Sequence, residues 1–191
     1  MKYLKLFEGF ENINIVDICK QYNISNYVVN SDGTIDIDVD YVDLSYQNLT
    51  KLPIKFNKVN GYFDCSNNRL TSLEGSPKEI NGDFNCCNNY LTSFEFAPKI
   101  IRGYFNCQYN NIKSFEYFPS FVKSYFWCDD NPIYEVWRLF GNTTKIELLN
   151  DFDVFRDEDT DTPGIVMDRL NDFLLTIVKK PVEYVYRYKN I

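Results

Sequence analysis

The sequence predicts an α/β solenoid, in which short parallel strands stack along one concave face and a cap covers each end of the stack. The prediction depends on a 21-residue repeat, on connections too short for long helices, and on non-repetitive segments at both ends. The stretch GYFDCSNNRLTSL begins at Gly61 and returns as GDFNCCNNYLTSF at Gly82, GYFNCQYNNIKSF at Gly103 and SYFWCDDNPIYEV at Ser124. A fixed period of this kind is typical of repeat architectures, whose units bury their apolar faces against one another.

Each repeat places apolar residues and asparagine at the same offsets. Phenylalanine and cysteine are two residues apart in every copy, so in an extended strand both point to the same side, toward the core. Asparagine follows where the chain turns, and leucine or isoleucine returns inward two places later. The columns are Phe63, Phe84, Phe105 and Phe126; Cys65, Cys86, Cys107 and Cys128; Asn68, Asn89, Asn110 and Asn131; and Leu70, Leu91, Ile112 and Ile133, with a weaker copy at Val42, Leu44, Gln47 and Leu49.

This pattern resembles the leucine-rich repeat, L-x-x-L-x-L-x-x-N-x-L, with phenylalanine in the second apolar position and cysteine in the third. The resemblance covers about residues 41–136 and implies a short leucine-rich-repeat array of about four to five rungs. It also implies that the asparagine side chains hydrogen-bond backbone groups of neighbouring rungs and so form a structural ladder. The connections, such as SLEGSPKEING, contain proline and are expected to be extended or to hold a single helical turn.

The in-phase cysteines are interpreted as core packing. A zinc ion would need four thiolates at about 2.3 Å, whereas four stacked rungs extend over roughly 14 Å. Disulfides are disfavoured because side chains of adjacent in-register strands run parallel. Cys87 is one residue out of phase and is expected to face solvent, but its neighbours supply no base or cation that would activate a thiolate. We therefore expect no metal, no cofactor and no enzymatic activity.

Residues 1–40 are predicted to form an N-terminal cap. The spacing of apolar residues from Ile15 to Tyr22 indicates a helix that buries Cys19, and Asp32-Gly33 indicates the turn of a β-hairpin. The apolar phase shifts by one residue before Val42, which predicts a bend near residues 40–41. Alternating aspartates in the second hairpin strand are interpreted as a charged edge that discourages strand pairing; they are Asp36, Asp38 and Asp40.

Residues 137–191 are predicted to form a helical C-terminal cap and tail. One helix starts at Asn131-Pro132 and ends before Gly141, and a second follows the capping-box signature TKIE at Thr144. A third helix is predicted to start at Thr162-Pro163 and to end before Pro181. The tail VEYVYRYKNI predicts a short alternating strand with its tyrosines on one side; they are Tyr184, Tyr186 and Tyr188.

The outward-facing strand residues form the candidate binding surface. They include tyrosine, tryptophan and aspartate but neither lysine nor arginine, and aromatic residues of these types are enriched at interface hot spots. The acidic character implies a partner with a basic patch; the alternative is a solvated sheet face with aromatic cross-strand pairs. The predicted partner-binding residues are Tyr41, Asp43, Tyr62, Asp64, Asn85, Cys87, Tyr104, Asn106, Gln108, Tyr109, Tyr125, Trp127, Asp129 and Asp130.

Two charged segments outside the repeats are interpreted as solvated surface. In the acidic loop, residues 151–161, three aspartates have the 1-3-5 spacing of a calcium loop, but the sixth position is Thr162 rather than glycine. They are Asp157, Asp159 and Asp161. A basic tail is expected to balance the acidic body rather than to bind nucleic acid; its cations are Lys179, Lys180, Arg187 and Lys189.

Composition excludes several classes of function. The chain contains no histidine, which removes Ser-His-Asp and Cys-His nucleophile systems and the common zinc hydrolase sites. A net charge of −7 disfavours nucleic-acid binding, which needs basic surface. The N-terminal stretch MKYLKLFEGFENINIV lacks the apolar core of a signal peptide, and no apolar run is long enough for a membrane span. We therefore expect a cytoplasmic protein with reduced cysteines.

The chain further resembles the small leucine-rich-repeat proteins encoded by bacteriophages and some bacteria. The resemblance lies in SDGTIDIDVDYVDLSYQNLTKLPIKFNKVNGYFDCSNNRLTSLEGSP and in NPIYEVWRLF. It implies a non-enzymatic protein–protein interaction module, encoded by a phage, that binds and inhibits a protein or a defence system of the bacterial host. The alternative is a structural or self-associating part, for example of a virion, in which the tail adds a strand to another copy.

Overall fold

Each 21-residue repeat contributes one short strand to each of two sheets in the computed structural model, which describes residues 15–156, 162 and 164–191. The six-stranded sheet consists, in spatial order, of β1 (Tyr27–Val29), β2 (Ile35–Ile37), β4 (Phe56–Val59), β6 (Glu79–Ile80), β8 (Ile100–Ile101) and β10 (Phe121–Val122). The five-stranded sheet consists of β3 (Tyr41–Asp43), β5 (Tyr62–Asp64), β7 (Phe84–Asn85), β9 (Phe105–Asn106) and β11 (Phe126–Trp127).

The five-stranded sheet is parallel and its register equals the repeat. Phe63 pairs with Phe84, Phe84 with Phe105, and Phe105 with Phe126. All of these rings are buried, and successive rings are 6.1, 5.3 and 5.4 Å apart. The cysteine column lies directly beyond them on the same side and is also buried. The Phe-x-Cys alternation therefore builds one wall of the core, as the period of a strand requires.

The connections between these strands form the second wall. They are extended, which confirms one of the two expected conformations, and Val59, Ile80 and Ile101 are fully buried in parallel strands that pair at the same 21-residue offset. Phe56 crosses the core to contact Phe63, with ring centroids 4.9 Å apart. The sequence did not predict that these connections pair with one another and form a second sheet.

A tight corner separates the two strands of each repeat, and glycine is required there by close approach. A Cβ atom on Gly82 would lie 2.6 Å from the carbonyl carbon of Gly61. On Gly103 it would lie 2.7 Å from the carbonyl carbon of Gly82. Backbones of successive repeats thus touch at the corner, which explains why three of the four quoted repeats begin with glycine.

A left-handed turn follows each strand of the five-stranded sheet. The five residues at this position have φ between 53° and 58°. Asparagine and aspartate tolerate this conformation better than other non-glycine residues, although two tyrosines also adopt it here. The five are Tyr46, Asn67, Asn88, Tyr109 and Asp130.

The N-terminal segment contains the predicted helix and hairpin. Helix α1 (Ile15–Gln21) buries Cys19, and β1 pairs antiparallel with β2 through a turn in which Gly33 has φ 80°. The predicted bend is confirmed, because the chain passes from β2 in one sheet to β3 in the other.

The interpretation of the Asp36, Asp38 and Asp40 stripe as an unpaired charged edge was wrong. Strand β2 is an interior strand, paired with β1 on one side and β4 on the other. Two of the carboxylates accept hydrogen bonds from side chains of the adjoining repeat: Asp36 from Asn57 at 2.7 Å and Asp38 from Asn60 at 2.8 Å. These aspartates therefore support the pairing that they were expected to discourage.

The C-terminal segment combines helices α2 (Tyr134–Phe140), α3 (Ile146–Asp151) and α4 (Met167–Thr176) with a three-stranded sheet that was not predicted. Helix α2 ends at Gly141 with φ 58°, as predicted. The capping box at Thr144 was wrong: Asn142 instead accepts hydrogen bonds from the backbone and side chain of Thr144, at 3.0 and 2.8 Å. Within the described residues, no helix has the length and apolarity needed to cross a membrane.

The third predicted helix begins later than expected. Residues Gly164–Ile165 form β13, which pairs with β12 (Phe155–Arg156) and with β14 (Lys189–Asn190), so α4 starts only at Met167. The buried stripe of α4 includes Leu170, Phe173 and Leu174. The aspartates Asp157, Asp159 and Asp161 of the acidic loop lie outside the described residues.

The prediction that the tail tyrosines share one side was wrong. Tyr184 and Tyr186 are exposed, whereas Tyr188 is buried and its hydroxyl donates a hydrogen bond to the Lys113 carbonyl at 2.8 Å. The last strand, β14, is parallel to β13 of the same chain. The tail is therefore packed against its own repeats.

Candidate binding surface

The outward side chains of the five-stranded sheet form a continuous aromatic row. On β3 and β11 the exposed residues alternate with buried ones, so Tyr41 and Trp127 face away from the core. Ring centroids are 5.0 Å apart for Tyr41–Tyr62, 6.0 Å for Tyr62–Tyr104 and 5.0 Å for Tyr104–Trp127. Tyr125 continues the row, 6.0 Å from Trp127. We call this row and the carboxylates beside it the aromatic face.

The row crosses a repeat that contributes no tyrosine to it. The third repeat carries Asp83 where its neighbours carry Tyr62 and Tyr104. Those two strands are separated by about 9.6 Å, yet their rings approach to 6.0 Å by leaning toward each other. Asp83 turns instead to the backbone, accepting a hydrogen bond from the Tyr104 amide at 2.8 Å. The aromatic surface is therefore unbroken.

The carboxylates on the aromatic face are held in place by local hydrogen bonds. Asp64 is only 7% exposed and accepts from the Tyr62 hydroxyl at 2.8 Å, the Asn85 amide at 3.1 Å and the Ser66 backbone at 2.8 Å. Asp43 accepts from the backbone and hydroxyl of Ser45 at 2.8 and 2.7 Å. Asp129 accepts from Gln108 at 2.8 Å.

Burial and these carboxylates keep Tyr41 and Tyr62 uncharged. Burial, followed by the charges of Asp43 and Asp64, raises the pKa of Tyr41 to about 12. Burial also raises the pKa of Tyr62 well above its usual value, with hydrogen bonds to Tyr104 and Asp64 adding to the effect. These two phenols therefore remain neutral hydrogen-bonding groups beside the aspartates.

Cys87 is half-buried rather than fully solvent-facing. Burial, followed by the charge of Asp64, raises the pKa of its thiol. The in-phase cysteines are more deeply buried, and burial raises their pKa values as well. A thiol must lose its proton to act as a nucleophile or a metal ligand. Across the described part of the chain, no three His, Cys, Asp or Glu side chains are grouped so as to hold a metal ion.

The in-phase asparagines bridge successive repeats beneath the surface. Asn110 donates to the carbonyls of Cys86 and Cys107 at 3.1 and 3.0 Å and accepts from the Leu91 amide at 2.9 Å. Asn68, Asn89 and Asn131 make the equivalent contacts in their own repeats. These are the backbone contacts that the leucine-rich-repeat resemblance implies.

The remaining predicted surface residues lie on the strands or on the turns that follow. Asn85 and Asn106 each accept a hydrogen bond from the backbone two residues later, at 3.2 and 3.0 Å. The side-chain amide of Gln108 donates a hydrogen bond to Asp129. Tyr109 and Asp130 occupy left-handed turns at the border of the sheet and are exposed. The structure therefore groups the strand residues together and places these two at the rim.

A groove of about 350 Å³ lies at the same rim and was not predicted. Its cation, Arg69, and the exposed Tyr90 lie two residues beyond the left-handed turns. The signal that could have found it is the 21-residue column Asn48, Arg69, Tyr90, which is polar or aromatic in successive repeats. The lining residues are Tyr46, Asn48, Asn67, Asn68, Arg69, Asn88 and Tyr90.

Comparison with protein-family models, with curated proteins and with solved structures finds no match for this chain. The geometry and chemistry of the chain itself are therefore the basis for assigning its function.

Proposed function

We propose that this chain is a leucine-rich-repeat solenoid that acts as a non-enzymatic protein-binding module through its aromatic face. The observation that carries the proposal is the row from Tyr41 to Trp127, which remains partly or largely exposed. Trp127 is 39% exposed and Tyr125 70%. Tyrosine and tryptophan contribute disproportionately to interface affinity, because they bury large areas with little loss of side-chain freedom.

The repeat geometry supports the solenoid part of the proposal. From β3 in the five-stranded sheet and from β4 in the six-stranded sheet, successive strands pair in parallel at an offset of 21 residues, for example Phe63 with Phe84 and Lys58 with Glu79. The buried asparagine amides connect three consecutive segments of backbone in the same way in each repeat. Stacking of this kind produces an extended surface on which equivalent positions can vary independently.

Charge supports a partner with a basic patch. The outward strand and turn residues include five aspartates and no lysine or arginine, and the chain as a whole has a net charge of −7. An acidic surface attracts a basic partner at long range and disfavours like-charged ones. The five aspartates are Asp43, Asp64, Asp83, Asp129 and Asp130.

The resemblance to phage-encoded proteins extends the proposal to a biological role. In that setting the module acts in the cytoplasm of a bacterial host and inhibits a host protein or a defence system. Raised thiol pKa values support a non-enzymatic function, because the thiols then remain protonated and weakly nucleophilic.

A structural, self-associating function is the second candidate. The observation that favours it is the exposure of large apolar side chains near the C-terminus: Val178 is 92% exposed, Tyr184 69% and Tyr186 64%. Exposed apolar residues grouped together mark association surfaces. Sedimentation over a wide concentration range tests it, since a monomer at every concentration would contradict self-association.

Affinity capture from bacterial lysate tests the main proposal. The wild type is compared with the triple variant Tyr104→Ala, Tyr125→Ala, Trp127→Ala, and captured proteins are identified by mass spectrometry. The matched control is Tyr90→Ala, Phe121→Ala, Tyr184→Ala, which removes three exposed aromatic rings outside the aromatic face. Thermal unfolding of all three proteins establishes that they are folded.

The expected result is one host protein that is captured by the wild type and the control but lost from the Tyr104/Tyr125/Trp127 variant. Equal capture by all three proteins would contradict the aromatic face as the binding surface. Loss from the control alone would place the contact at the rim, at β10 or in the tail.

A further inference from the structure

The last strand of the aromatic face presents a pair of parallel, stacked aromatic rings, which we call the platform. The rings of Tyr125 and Trp127 are almost parallel, with 2° between their planes and centroids 6.0 Å apart. Tyr104 supports Trp127 from the neighbouring strand at 5.0 Å. The side chains of Tyr125 and Trp127 are both exposed, so a partner group can reach these rings. At the opposite end of the row, Tyr41 and Tyr62 are tilted by 32°.

A fixed carboxylate lies beside this platform. Asp129 follows Trp127 by two residues, at the start of the turn after the strand, and its Oδ2 atom accepts a hydrogen bond from the Gln108 side chain at 2.8 Å. The Tyr134 hydroxyl also hydrogen-bonds to this carboxylate, and together the two contacts restrain it. An ionised carboxylate has about four acceptor sites, so Asp129 retains acceptors for a partner. Arg138, a cation on the adjoining helix α2, is already ion-paired with Glu135 at 3.0 Å.

The carboxylates elsewhere on the aromatic face are more fully engaged within the chain. Asp64 accepts from Tyr62, Asn85 and Ser66 and is nearly inaccessible. One oxygen of Asp43 accepts two hydrogen bonds from Ser45. The combination of parallel exposed rings and a restrained carboxylate that has acceptors to spare therefore occurs at the last strand.

Guanidinium is the cation that suits this combination. It is planar, stacks on an aromatic face and donates parallel hydrogen bonds to a carboxylate, whereas an ammonium group is a compact, strongly hydrated charge. We propose that Tyr125, Trp127 and Asp129 form a subsite for an arginine side chain of the partner protein. The subsite rests on the proposed function of the aromatic face and specifies which basic residue that face selects.

The subsite can be tested without knowing the partner. The probes are the blocked tripeptides acetyl-Gly-Arg-Gly-amide and acetyl-Gly-Lys-Gly-amide, titrated into isotope-labelled protein to millimolar concentration. The indole N–H signals of the two tryptophans, Trp127 and Trp137, are followed by NMR. Trp137 is half-buried against Phe126 at 4.9 Å and provides an internal reference.

We expect the arginine peptide to shift the Trp127 signal and to bind about threefold or more tightly than the lysine peptide. Asp129→Asn should weaken arginine binding about tenfold, because a charge-assisted bond becomes a neutral one. Glu95→Gln removes one negative charge at an exposed position outside the aromatic face and should leave the titration unchanged.

Equal binding of both peptides, no shift of Trp127, or unchanged affinity in Asp129→Asn would overturn the arginine subsite. These outcomes are separate from the fate of the proposed function. A host protein that is lost with the Tyr104/Tyr125/Trp127 variant while arginine shows no preference would leave the binding surface intact and remove the subsite alone.

Discussion

The outer faces of the two sheets differ in how completely their polar groups are paired. On the six-stranded sheet, side chains of successive repeats bond to one another: Asp38 accepts from Asn60 at 2.8 Å, Asn60 from Asn81 at 2.8 Å and Asn81 from Arg102 at 3.1 Å. Arg102 also pairs with Glu79 at 3.1 Å. We call this the polar ladder. The polar ladder contains acidic, amide and basic side chains, so the opposite charges on that face largely cancel.

The aromatic face is built on the same 21-residue period but is not neutralised. Its carboxylates are positioned by hydroxyls and amides, and no cation from the same strands or turns offsets their charge. The comparison shows that the repeated glycine, phenylalanine, cysteine and asparagine build the frame, meaning the backbone and core that both sheets share. The outward-facing side chains differ in chemistry between the two sheets. One face supports the fold, and the other is the face that we propose binds a partner.

The largest loss of stability is expected from the buried asparagines, which belong to the frame that both sheets share. Replacing Asn110 with alanine leaves the buried Leu91 amide without its acceptor and removes one of the two asparagine donors from each of the Cys86 and Cys107 carbonyls. We expect a loss of about 4 kcal/mol in the free energy of unfolding, because a buried amide becomes unpaired and the hydrogen bonds between repeats are lost together. Urea denaturation measures it. Asn81→Ala in the polar ladder, which is more exposed, is the matched control and should cost about 0.5 kcal/mol; similar losses in the two variants would contradict the distinction.

The corner between the two sheets should be nearly as sensitive. Gly82→Ala places a methyl group 2.6 Å from the Gly61 carbonyl carbon, where only backbone can move. We expect about 3 kcal/mol of destabilisation by overpacking, measured by thermal and urea unfolding. Gly33→Ala is a useful contrast: its Cβ meets no atom within 4 Å, but φ is 80°, so the cost is conformational strain alone. A tolerated Gly82→Ala would show that the two sheets can separate at the corner.

Alkaline pH should weaken the aromatic face before it affects the polar ladder. The pKa of Tyr41 is raised to about 12 in the folded chain, above the value of about 10 for an unfolded tyrosine. Stability from the neutral phenol is therefore fully present below about pH 10 and is lost as pH rises through about 12. Urea unfolding across this window should show a shallower decline for Tyr41→Phe than for the wild type. Parallel declines would mean that Tyr41 is not responsible.

The smallest effect is expected from the polar ladder itself. Arg102→Ala removes exposed contacts to Asn81 and Glu79, and exposed ion pairs contribute about 0.5 kcal/mol or less. Capture of the partner should be unchanged, since Arg102 lies on the opposite sheet. A large drop in capture for this variant would reverse the roles assigned to the two faces.

The repeating part of the fold was the most predictable from sequence. Phe63 and Cys65 identify the inward side of the strand, because side chains alternate along it, and Tyr62 and Asp64 must then lie on the outward side. The second sheet was harder to predict, since its strands β6, β8 and β10 are only two residues long and show no clear apolar alternation. The role of Asp36 and Asp38 was missed because their partners, Asn57 and Asn60, are about one repeat away and no local pattern connects them.

The sequence predicted which residues lie on the candidate site but not how their side chains contact one another. Outward positions could be enumerated, but the leaning of Tyr62 and Tyr104 across Asp83 depends on side-chain rotation in three dimensions. Likewise, Tyr188 was placed with the other tail tyrosines, whereas long-range packing buries it against the repeats through Lys113. Contacts between residues far apart in sequence decided both outcomes.

The aromatic packing of the core also sets a direction for unfolding. Phe126 contacts Trp137 at 4.9 Å, Trp137 contacts Phe140 at 5.4 Å, and Phe140 reaches Phe173 of α4 at 5.4 Å. The C-terminal end of the stack is therefore continuous with its helices, whereas the first repeat carries Val42 and Leu44 where later copies carry phenylalanine and cysteine. In a stack with nearest-neighbour coupling, opening begins at the weaker end. Amide hydrogen exchange should be fastest near β3 and slowest near β9 and β11, so the chain would fray from its N-terminal side while the platform at Trp127 keeps its shape longest.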